Sequence, residues 1–356
     1  MAPKPGVIPL RPLDIGEIIN AVFATIRYNF TAVYGLPLVT GLGCVLLFVI
    51  FGAVEWSPLH AFYIDIHNHV GDTGWTPSGS EITNVLFALA GLVLLAFVTY
   101  EATYIAATLS SVATLRHAVV GRRVRFRQIA SESTPYIWRL IGAMLLMQLI
   151  CAGPMLLVVG IIVLLAFAVS GSGAAAAVGL LGFVFCLAAV VWAIYASIQL
   201  TPLSATVVLE GKNPVEAVKR AWQLNQGSWG RALGVTFLSG LIGLGIGYAV
   251  NQILSIFYVG ALGLSGTTGS VDTSDPAAAK HMLITELVIV AVTMPVGMLV
   301  NLLTLPLTPL AQALHYIDRR IRRESLDIHL AEEAGIPFGG VTPPPPFDTP
   351  PPPATA

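Results

Sequence analysis

The sequence predicts an all-α membrane protein with six transmembrane helices, and three observations lead to this fold class. Hydrophobic residues make up 55% of the 356 residues, whereas charged residues make up only 10%. Soluble domains carry about 25% charged residues. The apolar residues are gathered into six long runs, and the basic residues are gathered between alternate runs. This combination is typical of a multi-pass membrane protein.

The six runs are each long enough to form a membrane-spanning helix. Such a helix needs about 20 apolar residues, because each residue adds about 1.5 Å and the hydrocarbon core is about 30 Å thick. The third run contains Pro154, which predicts a kink or a tilt. Ser170–Gly173 fits a tight turn, and the longer loops are 55–83 and 260–281. The predicted spans are 31–54, 84–109, 140–169, 174–199, 231–259 and 282–309.

The basic residues predict the orientation of the chain. Of the 18 Lys and Arg residues, 17 precede the first span, lie between spans two and three or four and five, or follow the sixth. Only Lys280 lies on the other side. Because Lys and Arg accumulate in cytoplasmic segments, we expect both termini in the cytoplasm. The net charge of −1 gives no general attraction to nucleic acid.

A polar segment between spans four and five predicts a short helix that begins after Asn213 and stops near Gly227. Asn213 can cap this helix, Pro214 suits its first position, and Glu216 can complete a capping box. Its apolar face carries Val215, Val218 and Trp222. Two interpretations are open: an amphipathic helix in the membrane interface, or a helix packed on the bundle.

Similar short segments indicate an internal repeat of three units, each with a short interfacial helix followed by two spans. Asp14 and Glu17 form a second cap pattern before span one. Before span three, Trp138 can correspond to Trp229, but a cap is missing. The motif Leu-Thr-Pro-Leu occurs at 200–203 and at 307–310, at the predicted ends of spans four and six. At a shift of 199 residues, Glu17, Phe23 and Phe30 correspond to Glu216, Trp222 and Trp229.

Three segments carry a resemblance to a known family: RPLDIGEIINAVFATIRYNF, VVLEGKNPVEAVKRAWQLNQGSWGRALGV and HYIDRRIRRESLDI. In this order they resemble the glycerophosphoryl diester phosphodiesterase membrane-domain family, many of whose members are actinobacterial, over roughly residues 9–330. The family's membrane module is sometimes fused to a soluble phosphodiesterase. No His-Arg-Gly motif of that enzyme occurs here, so the resemblance implies a membrane module without that activity.

Glu101 is the most unusual residue within the predicted spans, since an ionisable side chain there costs about 2.5–3.5 kcal/mol on insertion scales. Counting from the span ends puts Gln148 and Gln199 at a similar depth, which predicts an intramembrane polar layer. This layer is either a proton- or cation-coupled site or a set of hydrogen bonds between helices. Asn301 is a further intramembrane polar candidate in span six.

Basic and aromatic residues next to the spans are candidates for contact with anionic lipid headgroups. The segment GRRVRFRQ carries four arginines, although orientation of the neighbouring spans explains it equally well. A membrane-protein partner is a further possibility. The candidates for lipid contact are Arg122, Arg123, Arg125, Arg127, Lys219, Arg220, Trp222 and Trp229.

Catalytic and metal sites have little support in the sequence. His60, His67 and His69 lie in one predicted loop, and His-x-His on a strand would place two rings on the same face, as in some zinc sites. No fourth ligand can be named, so these are weak candidates. The sequence offers no catalytic residue set and implies no cofactor.

The last two spans and the C-terminus have distinctive compositions. Ser239, Gly243, Gly247 and Asn251 recur every fourth residue, which predicts close helix packing within the bundle or a dimer seam. Prolines at 295, 306 and 309 predict a broken sixth span. Residues 310–333 are expected to continue as a cytoplasmic helix with Asp318–Arg322, Arg320–Glu324 and Arg323–Asp327 pairs. The Pro-rich tail, 334–356, is expected to be extended and disordered.

These observations divide the chain into a short cytoplasmic segment, 1–10, a membrane domain, 11–333, and the tail. The predicted function is a non-catalytic scaffold or accessory subunit that contacts membrane lipids and partner proteins. The alternative is a transporter or lipid-handling protein that uses the polar layer around Glu101.

Overall fold

The computed structural model describes residues 6–68, 78–168, 172–264 and 296–333. These residues form helices of very different length, and no strand occurs among them. A 3-10 turn, Thr134–Tyr136, joins the fourth helix to the fifth. In chain order the helices are α1 (Ile15–Tyr28), α2 (Phe30–Asn68), α3 (Gly79–Val119), α4 (Phe126–Ser133), α5 (Ile137–Ala168), α6 (Ser172–Gln199), α7 (Leu203–Glu210), α8 (Pro214–Asn225), α9 (Trp229–Leu264), α10 (296–304), α11 (Leu307–Glu324) and α12 (Leu326–Glu333).

Six helical stretches in the described part are long and apolar enough to cross a membrane. This result confirms the predicted fold class, an all-α membrane protein with six spans. The first five are formed by α2, α3, α5, α6 and α9, and the sixth is described from Val296 onward. Helix α5 continues through Pro154 without interruption. The tail, 334–356, lies outside the described residues.

One end of the bundle is a folded layer that contains the short helices. We call it the basic layer: α1, α4, α7, α8, α11 and α12, with the adjoining ends of the long helices. Every Lys and Arg residue that the structure describes lies in this layer or directly beside it. Its hydrophobic core combines fully buried side chains from many helices, among them Ile18, Leu115, Ile129, Leu140, Leu203 and Leu314. The N-terminal segment belongs to this core, since Ile8 and Leu13 are also buried.

Outside the basic layer the long helices pack in pairs, α2 with α3 and α5 with α6. Helix α9 packs against α11 of the basic layer, and its Gly243 lies close to Thr304 of α10. No more than a third of the residues in any apolar window are buried by protein, so lipid solvates most of their surface. Small residues let helices approach closely in lipid, where no hydrophobic effect drives them together. Outside the basic layer the buried residues in the described helices are small residues and one proline: Pro37, Gly41, Cys44, Ala88, Thr99, Gly182, Ala189 and Ser239.

A short helix precedes a long helix three times along the chain, as the repeat predicts. A second long helix follows in the first two units, and in the third unit α10 is described only from residue 296. Helix α1 precedes α2, α4 precedes α5, and α8 precedes α9. The start of α1 shows the expected acidic contact, because Glu17 accepts a hydrogen bond from the Asp14 N–H at 2.9 Å. Helix α4 begins at Phe126, and its N-cap residue Arg125 makes no side-chain capping hydrogen bond, which matches the missing cap pattern in the sequence.

The cap predicted for α8 is wrong in one respect. The helix begins at Pro214, as expected, but the Asn213 side chain makes no capping hydrogen bond. Val215 and Glu216 are exposed at this end, so water can satisfy the first N–H groups of the helix. Gly227 follows the helix with a φ of +73°, a conformation that glycine adopts without strain.

The predicted loops 55–83 and 260–281 are too long. Helix α2 reaches Asn68, α3 already begins at Gly79, and α9 reaches Leu264. Residues 59–68 contain no Gly or Pro, so nothing stops the helix when the apolar run ends. Helix α3 starts with a capping box in which the Ser78 N–H donates to Glu81 at 2.8 Å. This Ser-x-x-Glu signal is visible in the sequence.

The sixth span is broken, as the prolines predict, but the second Leu-Thr-Pro-Leu motif does not end it. A turn at residues 305–306 separates α10 from α11. The motif at 307–310 forms the first turn of α11, where proline is tolerated because the N–H groups there lack helical partners. Tyr34 donates to the Leu303 carbonyl at this break, at 2.8 Å.

The prediction of an Arg323–Asp327 pair is also wrong. Ser325 has a φ of +52° and ends α11, so Asp327 belongs to the separate helix α12. The four-residue spacing therefore no longer brings the two side chains onto one face. The Asp318–Arg322 and Arg320–Glu324 pairs are present.

Candidate functional site

The structure brings together two of the three residues of the predicted polar layer. The Gln148 amide on α5 donates to Glu101 Oε1 on α3 at 2.6 Å. Gln199 does not join them, because its buried side chain donates to the Trp222 carbonyl at 2.9 Å and so holds α8 against α6. Asn301 is exposed on α10 and lines a large cavity. The polar layer is thus one hydrogen-bonded pair between two spans.

The large cavity lies at membrane level between α3, α9 and the region where α10 meets α11. Its volume is about 1050 Å³, and none of its described lining residues is charged. Three residues of the small-residue stripe of α9, Gly243, Gly247 and Asn251, line this space, whereas Ser239 is buried. A Cβ at Gly247 would have no heavy atom within 4 Å, and one at Gly243 would meet only Thr304, at 3.8 Å. Tyr100 and Tyr104 of α3 form part of the opposite wall.

Asp318 is the centre of an ionic cluster in the basic layer. This carboxylate is fully buried, and its Oδ1 accepts the Leu13 N–H at 2.8 Å. Both of its oxygens lie 3.0 Å from Nε of Arg322. Nε of Arg231 lies 3.1 Å from Oδ2 in an ion pair. Both arginines also donate to the Leu13 carbonyl. The cluster ties the N-terminal segment and the start of α9 to α11.

A second ionic cluster joins α7, α8 and α11. Tyr316 donates to Glu210 at 2.6 Å, and Arg220 Nε lies 3.2 Å from the same carboxylate. Arg220 also pairs with Glu324, which accepts from Arg320 at 2.7 Å. Burial alone would lower the pKa of Arg220, but the hydrogen bond to Glu324 and the charge of Glu210 raise it above its usual value. Arg220 therefore remains charged within the protein.

A third polar cluster joins α6, α8 and α11. His315 is fully buried, and its Nε2 lies 3.2 Å from the Asn225 side-chain oxygen. The Asn225 amide donates to the Ile198 carbonyl at 2.8 Å, and Ser228 donates to Asn225 at 2.8 Å. The roles of Glu210, Asn225 and His315 were not predicted from the sequence. The sequence signal that could have identified these residues is a polar side chain on a helix face that otherwise carries apolar, buried residues.

The predicted arginine segment is exposed on the surface of the basic layer. Arg122, Arg125 and Arg127 have no side-chain partner among the described residues, whereas Arg123 lies over the Tyr28 ring with its guanidinium carbon 4.6 Å from the ring centroid. Arg122 also lines a smaller cavity of about 320 Å³ together with Arg116, beside a hydrogen-bonded His117–Glu132 pair at 2.8 Å. The surface thus presents several cations without carboxylate partners.

The aromatic candidates form one cluster where α6, α8 and α9 meet. Trp222 and Trp229 both pack against Tyr195, with ring centroids 6.0 and 6.1 Å apart. Trp192 extends the cluster toward Trp222 at 6.5 Å. Helix α8 itself is held through Ala217, Ala221, Leu224 and Asn225, all of which are buried. Lys219 is exposed on its other side.

Two of the histidine candidates for metal binding, His60 and His67, lie on helix α2 and not on a strand. His69 lies outside the described residues. Within the described ranges, no three His, Cys, Asp or Glu side chains are grouped closely enough to hold a metal ion.

Comparisons with protein-family models, with curated proteins and with solved structures find no match for this chain.

Proposed function

We propose that this protein is a non-catalytic scaffold or accessory subunit of a bacterial plasma membrane, with its basic layer on the cytoplasmic side. There it contacts anionic lipid headgroups and a partner membrane protein. One observation carries the proposal: the buried ionic groups of the basic layer pair with one another, while the arginines of 122–127 stay exposed and have no carboxylate partner in the part of the chain that the structure describes.

The saturated clusters support a structural role for the buried charges. Asp318 and Glu210 each have several donors from the same chain. A catalytic acid or base needs access to a substrate proton. Neither carboxylate has that access, since both are enclosed by their own partners. The resemblance to the glycerophosphoryl diester phosphodiesterase membrane-domain family supports the same proposal, because it implies the membrane module alone.

The exposed arginines support lipid binding. A basic side chain near an anionic membrane surface contributes about 1 kcal/mol. Arg125 and Arg127 flank the start of α4, directly before the span formed by α5. The aromatic cluster around Tyr195 lies in the same layer, and Trp and Tyr favour the headgroup region.

The alternative, transport or lipid handling through Glu101, has weaker support. Glu101 is bonded to Gln148 and does not belong to the described lining of the large cavity.

The proposal is tested by measuring anionic lipid on the purified full-length protein. In nanodiscs of phosphatidylcholine with added phosphatidylglycerol, native mass spectrometry should show bound phosphatidylglycerol on the wild type. The double variant Arg125→Gln/Arg127→Gln should bind it about tenfold to thirtyfold more weakly, since it loses two charges worth about 1 kcal/mol each.

The control is Arg11→Gln, an exposed residue whose charge is already balanced by Glu17 at 2.5 Å. This variant should retain phosphatidylglycerol like the wild type. Equal binding by all three proteins would overturn the proposed lipid contact.

A further inference from the structure

We propose that the large cavity binds one ester-linked glycerolipid from the leaflet opposite the basic layer. The acyl chain would lie along the glycine face of α9, and the ester carbonyls would accept hydrogen bonds from Asn251 and Asn301. This site is separate from the arginine surface and does not depend on the proposed scaffold role.

The position of the cavity relative to the membrane follows from α9. Trp229, at the start of α9, belongs to an aromatic cluster of the kind that marks a membrane interface. Asn251 lies 22 residues further along the helix, which corresponds to about 33 Å. The hydrocarbon core is about 30 Å thick. Asn251 therefore lies near the far boundary of the core, where the ester groups of the opposite leaflet are located.

The length of the glycine face matches one acyl chain. Gly240 and Asn251, both lining the cavity, are 11 residues apart, or about 16 Å along the helix. Half of the hydrocarbon core is about 15 Å. Between them Gly243 and Gly247 carry no side chains, and among the described residues a Cβ at Gly247 would meet no atom within 4 Å and one at Gly243 only Thr304. A chain that enters at Asn251 can thus extend along α9 to the middle of the bilayer.

The polar groups in the cavity need a partner that the described protein does not supply. The carboxamides of Asn251 and Asn301 are exposed to the cavity and make no side-chain hydrogen bond within the described residues. An unsatisfied polar group in hydrocarbon costs several kcal/mol. Thr304 faces Gly243, so Asn301, three residues earlier, lies about 4.5 Å further from the basic layer. Asn251, eight residues beyond Gly243, lies about 12 Å further out, so Asn251 is toward the far end of the cavity and Asn301 is near its middle.

The chemistry of the lining selects the class of ligand. A carboxamide donates two hydrogen bonds, and an ester carbonyl accepts them. No charged side chain occurs among the described lining residues, so the cavity has no group to pair with an ionic headgroup. The site is suited to the uncharged glycerol-ester region and a chain, with the headgroup left outside in water.

Photo-crosslinking in vesicles tests this inference. Full-length protein is reconstituted in phosphatidylcholine that contains a small fraction of phosphatidylcholine with a diazirine on its acyl chain. Peptides that include Tyr100, Tyr104 and residues 240–251 should be labelled. The variant Gly243→Leu/Gly247→Leu fills the glycine face and should lose at least fivefold of this labelling. Gly245→Leu is the matched control, because Gly245 lies on the same helix, has open space around it and does not line the cavity.

A second comparison remains informative if the leucine variant folds poorly. Asn251→Leu/Asn301→Leu keeps the glycine face and removes two polar groups from the membrane. The wild type should be labelled at least fivefold more by the ester-linked probe than by an ether-linked analogue, and this variant should lose the preference. Equal labelling by both probes, unchanged labelling in the glycine variant, or protein–protein cross-links at residue 247 that show a second copy in the cavity would each overturn the proposal.

Discussion

Asp318 shows how a single carboxylate can organise the basic layer. A buried charge is costly unless it is paired and hydrogen-bonded. Here the Leu13 N–H and Arg322 donate hydrogen bonds to the carboxylate, and Arg231 adds an ion pair at 3.1 Å. Removing one member of a buried ion pair is strongly destabilising because the remaining charges lose their partner.

The substitution Asp318→Asn should therefore lower the free energy of unfolding by about 3 kcal/mol, the lower end of the range for buried pairs, since both arginines are partly exposed. The measurement is the melting temperature of the detergent-solubilised protein. Glu332→Gln provides the control, because this side chain is 72% exposed and lies 3.9 Å from its nearest partner. An unchanged melting temperature for Asp318→Asn would contradict the structural role of the cluster.

Only part of this cluster could be read from the sequence. Asp318 and Arg322 are four residues apart on one helix, a spacing that places them together. Leu13 and Arg231 are far away along the chain, and no local pattern connects them to Asp318. For the same reason Glu101 and Gln148 could be matched by depth alone, whereas Gln199, at a similar predicted depth, faces α8.

At the scale of elements, the hydrogen bond between Glu101 and Gln148 is a link between α3 and α5. Hydrogen bonds between helices in membranes contribute about 0.6 kcal/mol on average and up to about 1.7 kcal/mol. The substitution Glu101→Gln would keep an acceptor oxygen in the same position. Alanine would remove the acceptor and leave Gln148 without its partner.

We expect Glu101→Gln to melt like the wild type and Glu101→Ala to be destabilised by about 1 kcal/mol. Gln252→Ala serves for comparison, because Gln252 is exposed on α9 without a side-chain hydrogen bond. If Glu101→Gln were as damaging as Glu101→Ala, the ionisable character of Glu101 would matter, and the transporter alternative would gain support.

Element boundaries were predictable where hydrophobicity changes and less so where it does not. The apolar runs predict the spans because lipid selects for length and composition. The polar extension of α2 to Asn68 carries no such signal, since a helix continues until a residue stops it. Helix α4 has eight residues and no side-chain cap, so its sequence lacks the usual start signal.

At the scale of the whole molecule, the sidedness of the charges predicts the orientation in the membrane. Lys219 is exposed in the basic layer, and Ser80 is exposed at the opposite end, at the start of α3. The positive-inside rule places the first in the cytoplasm and the second outside.

Single cysteines test this orientation in a background in which Cys44, Cys151 and Cys186 are replaced by alanine. In intact cells a membrane-impermeant maleimide should label Ser80→Cys and leave Lys219→Cys unlabelled until the membrane is permeabilised. The reverse pattern would invert the topology, and labelling of both positions in intact cells would contradict a single basic side.

The number of spans and the common side of the basic residues followed from the sequence because both depend on composition along the chain. The basic layer as a folded core did not. Its contacts join Ile8, Leu115, Leu203 and Leu314, which come from four separate regions. The cavity could not be predicted from the sequence either, because the same spacing of glycines is expected on a helix that packs closely and on one that lines an open space.

The restriction of large buried side chains to the basic layer has a consequence for how the protein meets bilayers of different thickness. Beyond that layer, the described helices touch through small residues such as Cys44, Ala88 and Ala189, while their bulky side chains face lipid. A thicker or thinner bilayer can be accommodated by tilting each helix pair, at a cost of a fraction of a kcal/mol per Å. The side chains that determine the fold lie outside the deformed zone, so the protein can follow the bilayer without repacking its core.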